Sequence, residues 1–193
     1  LADNYKDAVD LGMQEEVLEF NAKSVIWATG WNPYDANKLD NLGYAEHDEV
    51  ITNVEMERLA SFSGPTAGKI LIPGTDKEIK SVAFVQCAGS RDENHLPYCS
   101  NVCCSASLKH AKYITEMNPD ANIFILYKDI RTPGKLEFFY KEMQNHNQIF
   151  FTKGELVKLT EEKDKSIIAE VKDTLLEENI NLKLDLVVLA TGM

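Results

Sequence analysis

Four cysteines, Cys87, Cys99, Cys103 and Cys104, lie within 18 residues of a 193-residue chain, spaced C-x11-C-x3-C-C, and the chain has no others. Thiolates are soft anionic ligands, so four in one short segment suit an iron–sulfur cluster or a structural zinc ion. The spacing lacks the paired C-x2-C knuckles of a zinc ribbon and the C-x2-C-x2-C run of bacterial ferredoxins. Cys103 and Cys104 are adjacent, an awkward pair for one small tetrahedral ion but a natural one for the separated corners of a cluster. Redox-active thiols and plain packing of small buried cysteines are the alternatives. Structural disulfides do not suit an acidic chain of cytosolic character.

A second constellation is defined by what it lacks. The turn after an apolar run at 81–86 reads Q-C-A-G-S-R-D-E, with Gly89 as its one glycine. A dinucleotide site places G-x-G-x-x-G there, so that the backbone can approach a pyrophosphate at a helix start. The fingerprint is absent, and an NAD(P)H site would need its phosphate contacts from the Cys87–Arg91 turn. Asp129 stands where a ribose hydroxyl would be held, or is simply solvated. The tripeptide A-T-G occurs twice after apolar runs, as Ala28-Thr29-Gly30 and Ala190-Thr191-Gly192. Small residues at the carboxyl end of a strand let a cofactor come close to the backbone.

Other candidates read more simply. His95 lies between Cys87 and Cys99, as a loop residue or a metal ligand. Arg91-Asp92-Glu93 suits an ion-pair network ordering the cysteine loop. Trp27 suits core packing, and Lys109, His110 and Lys112 suit the wet face of a helix. No Ser-His-Asp or paired-carboxylate arrangement stands out.

The elements that must position these residues follow from pattern and punctuation. Val17–Phe20 and Ser24–Ala28 read as two short strands. Thr52-x-x-Glu55 is a capping box, predicting a helix from about Asn53 to Ala60. A connector rich in glycine and proline follows. Then come a buried strand at 81–86, the cysteine loop, a helix over about 100–117, a strand at 122–127, a helix from Pro133 to about His146, and a strand at 148–152. That alternation predicts a parallel, doubly wound sheet. A helix that already began at Ser100 would put Cys99 and Cys103 on one face. From Gly154 the apolar positions alternate with period two, predicting an antiparallel meander with a tip at 161–165. Leu186–Ala190 is one more buried strand.

Composition narrows the function. The chain has 31 acidic and 20 basic residues, a formal net charge of −11, which argues against binding nucleic acid. Residues 81–152 hold seven of each sign, so the cysteine-bearing third is the neutral one. The longest apolar runs are too short to span a bilayer, which predicts no direct membrane insertion. A start at Leu1 and an end at Met193 just past a buried strand suggest a piece of a longer polypeptide.

Several of these segments together resemble one family. V-I-W-A-T-G-W-N-P-Y-D, E-R-L-A-S-F-S-G-P-T-A-G-K-I, F-V-Q-C-A-G-S-R-D-E-N-H-L-P-Y-C-S-N-V-C-C-S-A-S-L-K-H-A, D-I-R-T-P-G-K and D-L-V-V-L-A-T-G-M are similar to the flavoprotein family of A-type heterodisulfide reductase subunits. Within that family they look most like the branch of quinone-interacting membrane-bound oxidoreductases. The resemblance covers essentially the whole chain. It implies an α/β, thioredoxin-reductase-like fold: a Rossmann-like parallel sheet domain with an antiparallel meander (80–185), a remnant of an FAD domain with its linker (1–79), and a return strand to that domain (186–193). It implies that Cys87, Cys99, Cys103 and Cys104 ligate a 4Fe–4S cluster. It also implies that Ala28, Thr29, Gly30, Ala190, Thr191 and Gly192 lie against FAD. The implied role is electron relay between flavin, cluster and other redox subunits of a membrane-associated complex, linking the quinone pool to adenylylsulfate reductase. The implied location is the cytoplasm, peripheral to the inner membrane. The FAD pyrophosphate fingerprint itself is not in this sequence, so the flavin site is incomplete here.

Overall fold

The computed structural model describes residues 10–193, which fall into two units divided between Gly30 and Trp31. In the first unit the described residues form a turn at 10–12, where the Asp10 carboxylate accepts from the Gly12 amide at 2.8 Å, and otherwise no helix or strand. The two strands expected at Val17–Phe20 and Ser24–Ala28 do not form. Ile26 is 90% exposed and Trp27 84%, so Trp27 is not a core residue. The physical reason is that a strand is made by its ladder. Apolar side chains alone do not close it, and neither run has a hydrogen-bonded neighbour among the described residues.

In the second unit a short 3-10 turn at Ala36–Lys38 precedes β1 (Val50–Thr52) and α1 (Asn53–Ala60). The capping box forms as expected: Thr52 Oγ1 accepts from the Glu55 amide at 3.2 Å, and Glu55 accepts from the Thr52 amide at 2.7 Å. Then follow β2 (Ser81–Ala88), α2 (Cys103–Met117), β3 (Asn122–Tyr127), α3 (Leu136–Gln144), β4 (Ile149–Glu161), β5 (Ile167–Asp173), β6 (Glu178–Leu184) and β7 (Leu186–Thr191). They build one seven-stranded sheet in the order β1-β7-β2-β3-β4-β5-β6, parallel from β1 to β4 and antiparallel beyond.

Strand alternation sorts the core into two layers. Val82, Phe84, Ile123, Ile125 and Val188 pack with Met56, Leu108, Ala111, Ile114 and Met143 of the helices. Ala83, Val85, Leu126, Val187 and Leu189 pack on the other face with Leu156, Ile167, Val171 and Leu184 of the meander. The sheet is therefore not doubly wound, as the alternation had suggested. The steps β2 to β3 and β3 to β4 run the same way across the sheet, so right-handed crossovers put both helices on one face. The meander covers the face they leave bare.

Three boundaries differ from expectation. The helix α2 begins at Cys103, because Asn101 adopts a left-handed φ of +59° that no helix accommodates. Helix α3 begins at Leu136, after Gly134 at φ +63°. Strand β4 runs on to Glu161: its first half pairs with β3 and its second half with β5, so one strand carries the chain from the parallel sheet into the meander. Strand β7, buried along its whole length, lies between β1 and β2.

Candidate functional site

The four cysteines meet at the carboxyl end of the parallel strands. Cys87 is the next-to-last residue of β2, Cys99 lies in the loop that follows, and Cys103 and Cys104 open α2. All four line one small cavity together with Ser90, Ser100, Asn101, Val102 and Arg131. Cys103 and Cys104 are buried, Cys87 and Cys99 half-buried, and none is in a disulfide. Because α2 starts at Cys103, Cys99 does not share a helix face with it. It reaches the cavity from the loop instead, where its sulfur accepts the Asn101 amide at 3.3 Å. Three non-glycine residues here hold positive φ: Cys87 at +59°, Arg91 at +56° and Asn101 at +59°. Left-handed backbone at such residues is unfavourable and concentrates at functional sites.

Packing thiols together makes each harder to ionise. Burial raises Cys87 and Cys104 above the usual thiol range, and Arg91 beside Cys87 and Arg131 beside Cys104 oppose that rise. Burial, with the neighbouring cysteines adding to it, pushes Cys103 up to about 11. Anionic sulfur here therefore calls for positive charge, which metal supplies. The amino terminus of a fifteen-residue helix adds a favourable field for anions. Among the described residues no group of three or more His, Cys, Asp and Glu is gathered round a position for a single ion. The donor set is four thiols that line one small cavity.

The second A-T-G turn is bound to this loop. The Cys103 thiol donates to the Thr191 carbonyl at 3.4 Å. Ser100 Oγ accepts the Met193 amide at 2.9 Å and donates to the Met193 carbonyl at 3.3 Å. Thr191 Oγ1 donates to Asn53 Oδ1 at 2.8 Å, wholly buried. Residue 192 is tightly packed: an added Cβ would press on Ser90 Oγ and stand 2.8 Å from Ser100 Oγ, so these side chains would have to move. Tyr34 completes the junction. Its amide donates to the Gly192 carbonyl at 2.7 Å, its hydroxyl pairs with His95 Nδ1 at 2.7 Å, and its ring lies where a side chain at Gly89 would be.

The structure thus brings Cys87, Cys99, Cys103, Cys104, Ala190, Thr191 and Gly192 together. Ala28, Thr29 and Gly30 belong to the first unit, where all three are exposed. Asp129 is neither idle nor turned to a ribose position: it takes the Arg91 guanidinium at 2.8 Å. His95 is committed to Tyr34. His110 is not on a wet helix face. It is 2% exposed and bonded to Glu57 at 2.6 Å, between α1 and α2. Lys109 pairs with the same carboxylate at 2.6 Å. Tyr34, Asn53 and Ser100 are site residues that pattern reading missed. Each acts through a partner distant in sequence, and only the position of Ser100 beside Cys99 hints at its role.

No protein-family model matches the chain. Curated relatives do. It is 40% identical over 190 residues to the second of two A-type iron-sulfur subunits of CoB–CoM heterodisulfide reductase in Methanopyrus kandleri, covering 97% of this chain and 29% of that protein. It is 39% identical over 190 residues to the A-type subunit of the H(2):CoB-CoM heterodisulfide,ferredoxin reductase of Methanothermobacter marburgensis, with the same coverage of both. Among solved structures, L-lysine 6-monooxygenase from Pseudomonas syringae matches with a TM-score of 0.51 at 10% identity, over 83% of this chain and 44% of that one. This likeness shows the fold alone. A thioredoxin reductase from Giardia duodenalis matches at a TM-score of 0.46 and 13% identity, over 80% of this chain and 40% of that one. The chain spans less than a third of the length of the curated relatives. Over nearly its whole length it is homologous to a segment of the heterodisulfide reductase family of A-type subunits.

Proposed function

We propose that this chain is the cluster-bearing electron-transfer segment of a flavin-dependent oxidoreductase subunit, with Cys87, Cys99, Cys103 and Cys104 ligating one 4Fe–4S cluster. The observation that carries the reading is that all four thiols line one cavity at the strand ends and the α2 amino terminus. In a Rossmann-like sheet that is the place of a dinucleotide's pyrophosphate. Here cysteines take that place, and Arg91 points to Asp129 rather than outward to a phosphate. The word "iron-sulfur" in a relative's name agrees. Such a cluster supplies one-electron transfer.

The chain's own residues hold and orient the four sulfurs. Asn101 supports Cys99, and Ser100 and Tyr34 fasten the loop to residues 192–193. In the whole protein, Ala190-Thr191-Gly192 and Ala28-Thr29-Gly30 are proposed to lie against FAD, with residues 1–79 and the end of the chain leading to the flavin domain. Electrons pass on to other redox subunits. On the finer reading these belong to a membrane-associated complex at the cytoplasmic face, working between the quinone pool and adenylylsulfate reductase. No helix among the described residues is long and apolar enough to cross a membrane; attachment through partner subunits is part of this proposal.

The test is anaerobic reconstitution with iron and sulfide alongside calorimetry with NADH and NADPH. The expected result is stoichiometric iron and sulfide with no dinucleotide binding. Micromolar NADPH binding by a chain that takes no iron overturns the proposal in favour of a dinucleotide domain. Stoichiometric zinc without iron after anaerobic preparation overturns it in favour of a structural metal.

A further inference from the structure

The geometry points to Arg91 as the residue that sets the reduction potential of the cysteine-held centre, an inference that rests on the cluster reading above. Arg91 is held from three directions. Its backbone is left-handed, at φ +56°. Its amide donates to the Tyr98 carbonyl at 3.0 Å. Its Nη2 donates to Asp129 Oδ2 at 2.8 Å.

Nη1 of Arg91 is buried and has no partner at ordinary hydrogen-bond distance among the described residues, and the guanidinium lies close enough to Cys87 to favour its thiolate. A guanidinium N–H out of water without an acceptor is unfavourable. A neutral thiol is a poor acceptor, whereas a metal-bound thiolate or bridging sulfide is an anionic one. Ser90 Oγ, on the wall of the same cavity, is a second buried polar atom without a partner. Ser90 Oγ on the cavity wall and Arg91 Nη1 beside Cys87 are therefore two buried donors that no neutral side chain satisfies.

The consequence for redox chemistry follows from charge. Reduction adds one electron to the cluster, so a nearby fixed cation and an N–H···S bond favour the reduced form and raise the potential. Asp129 is about half exposed, so water weakens its opposing effect. Arg91 is thus a positioning and tuning residue, and Cys87 is the ligand through which it acts.

The experiment is an EPR-monitored redox titration of the reconstituted parent, Arg91→Gln and Arg91→Lys, with iron and sulfide assayed on each. We expect Arg91→Gln to hold the same iron while its reduced-to-oxidised ratio at fixed potential falls about tenfold, a downward shift of about 59 mV for one electron. Arg91→Lys, which keeps the charge without the fork, is expected between the two. A midpoint for Arg91→Gln equal to or above the parent's overturns the assignment. Where Arg91→Gln does not load, a parent carrying 15N-arginine decides: a weak nitrogen coupling to the cluster in ENDOR, lost in Arg91→Lys, supports the role, and no coupling in the parent overturns it. A parent chain that takes up no iron overturns the cluster reading and this inference together, a result distinct from a loaded variant with an unmoved potential.

Discussion

The segments S-V-I-W-A-T-G at 24–30 and L-V-V-L-A-T-G at 186–192 are nearly the same sentence written twice, and the molecule reads them differently. The first has no strand, with Val25 72% and Ile26 90% exposed. The second is a strand buried from end to end, hydrogen-bonded to β1 on one side and β2 on the other. Both have apolar, β-branched composition and both end in a small-residue turn. What separates them is neighbours. An apolar run becomes a strand when another backbone meets its N–H and C=O groups.

The contrast is sharpest for side chains in the two runs. Leu189→Ala removes a fully buried side chain, and we expect a loss of about 2–5 kcal/mol by urea denaturation; Ile26→Ala is expected to change stability by less than about 0.5 kcal/mol. The glycines come next. Gly192→Ala forces a Cβ against Ser90 and Ser100, with an expected loss of about 1–3 kcal/mol. Gly30→Ala meets only the strain of φ +78°, below about 1 kcal/mol. Equal effects at the two glycines would break the comparison. The threonines are expected to differ less: Thr191→Val strands the buried Asn53 oxygen for about 1–2 kcal/mol, while Thr29→Val has almost no effect.

The smallest expected effect concerns pH, on the side of the molecule where the helices pack. Burial lowers the His110 pKa below its ordinary 6.5, against the opposing pull of Glu57. Nε2–H donates to the carboxylate, and protonating Nδ1 would bury a donor with no partner among the described residues. The folded form therefore keeps His110 neutral below the pH at which the unfolded chain protonates it. Its contribution is complete above about pH 6.5 and declines as pH falls below that. Burial raises Glu57, but hydrogen bonds from Lys109 and His110 outweigh it and hold the carboxyl below its usual range, so its contribution also fades toward acid. Urea midpoints measured from pH 7 to 5 are expected to fall for the parent and to flatten in His110→Gln.

Much of the core was readable from the chain. The runs at 81–86 and 122–127 are apolar on both faces and bounded by Gly89, Pro119 and a cysteine loop, and they form parallel strands between two buried layers. The Thr52–Glu55 box named its helix because capping is local. Helix starts were misjudged where the signal is a backbone angle: Asn101 and Gly134 end the preceding loops by their positive φ, which residue type alone does not declare. The four cysteines announced themselves by spacing. Tyr34 and Asn53, which fasten the second A-T-G turn from 158 and 138 residues away, did not. Long-range partners are chosen by the fold, and that is also why the apolar run at 24–28 forms no strand.

The measurement that meets the central claim most directly is Mössbauer spectroscopy of the chain reconstituted anaerobically with 57Fe and sulfide, beside its Cys87, Cys99, Cys103 and Cys104 alanine variants. The account predicts one tetranuclear species with about four irons per chain in the parent, lost or converted to a smaller cluster in each variant. A mononuclear iron signal in the parent, or an undiminished tetranuclear signal in the Cys103→Ala and Cys104→Ala chains, would contradict it.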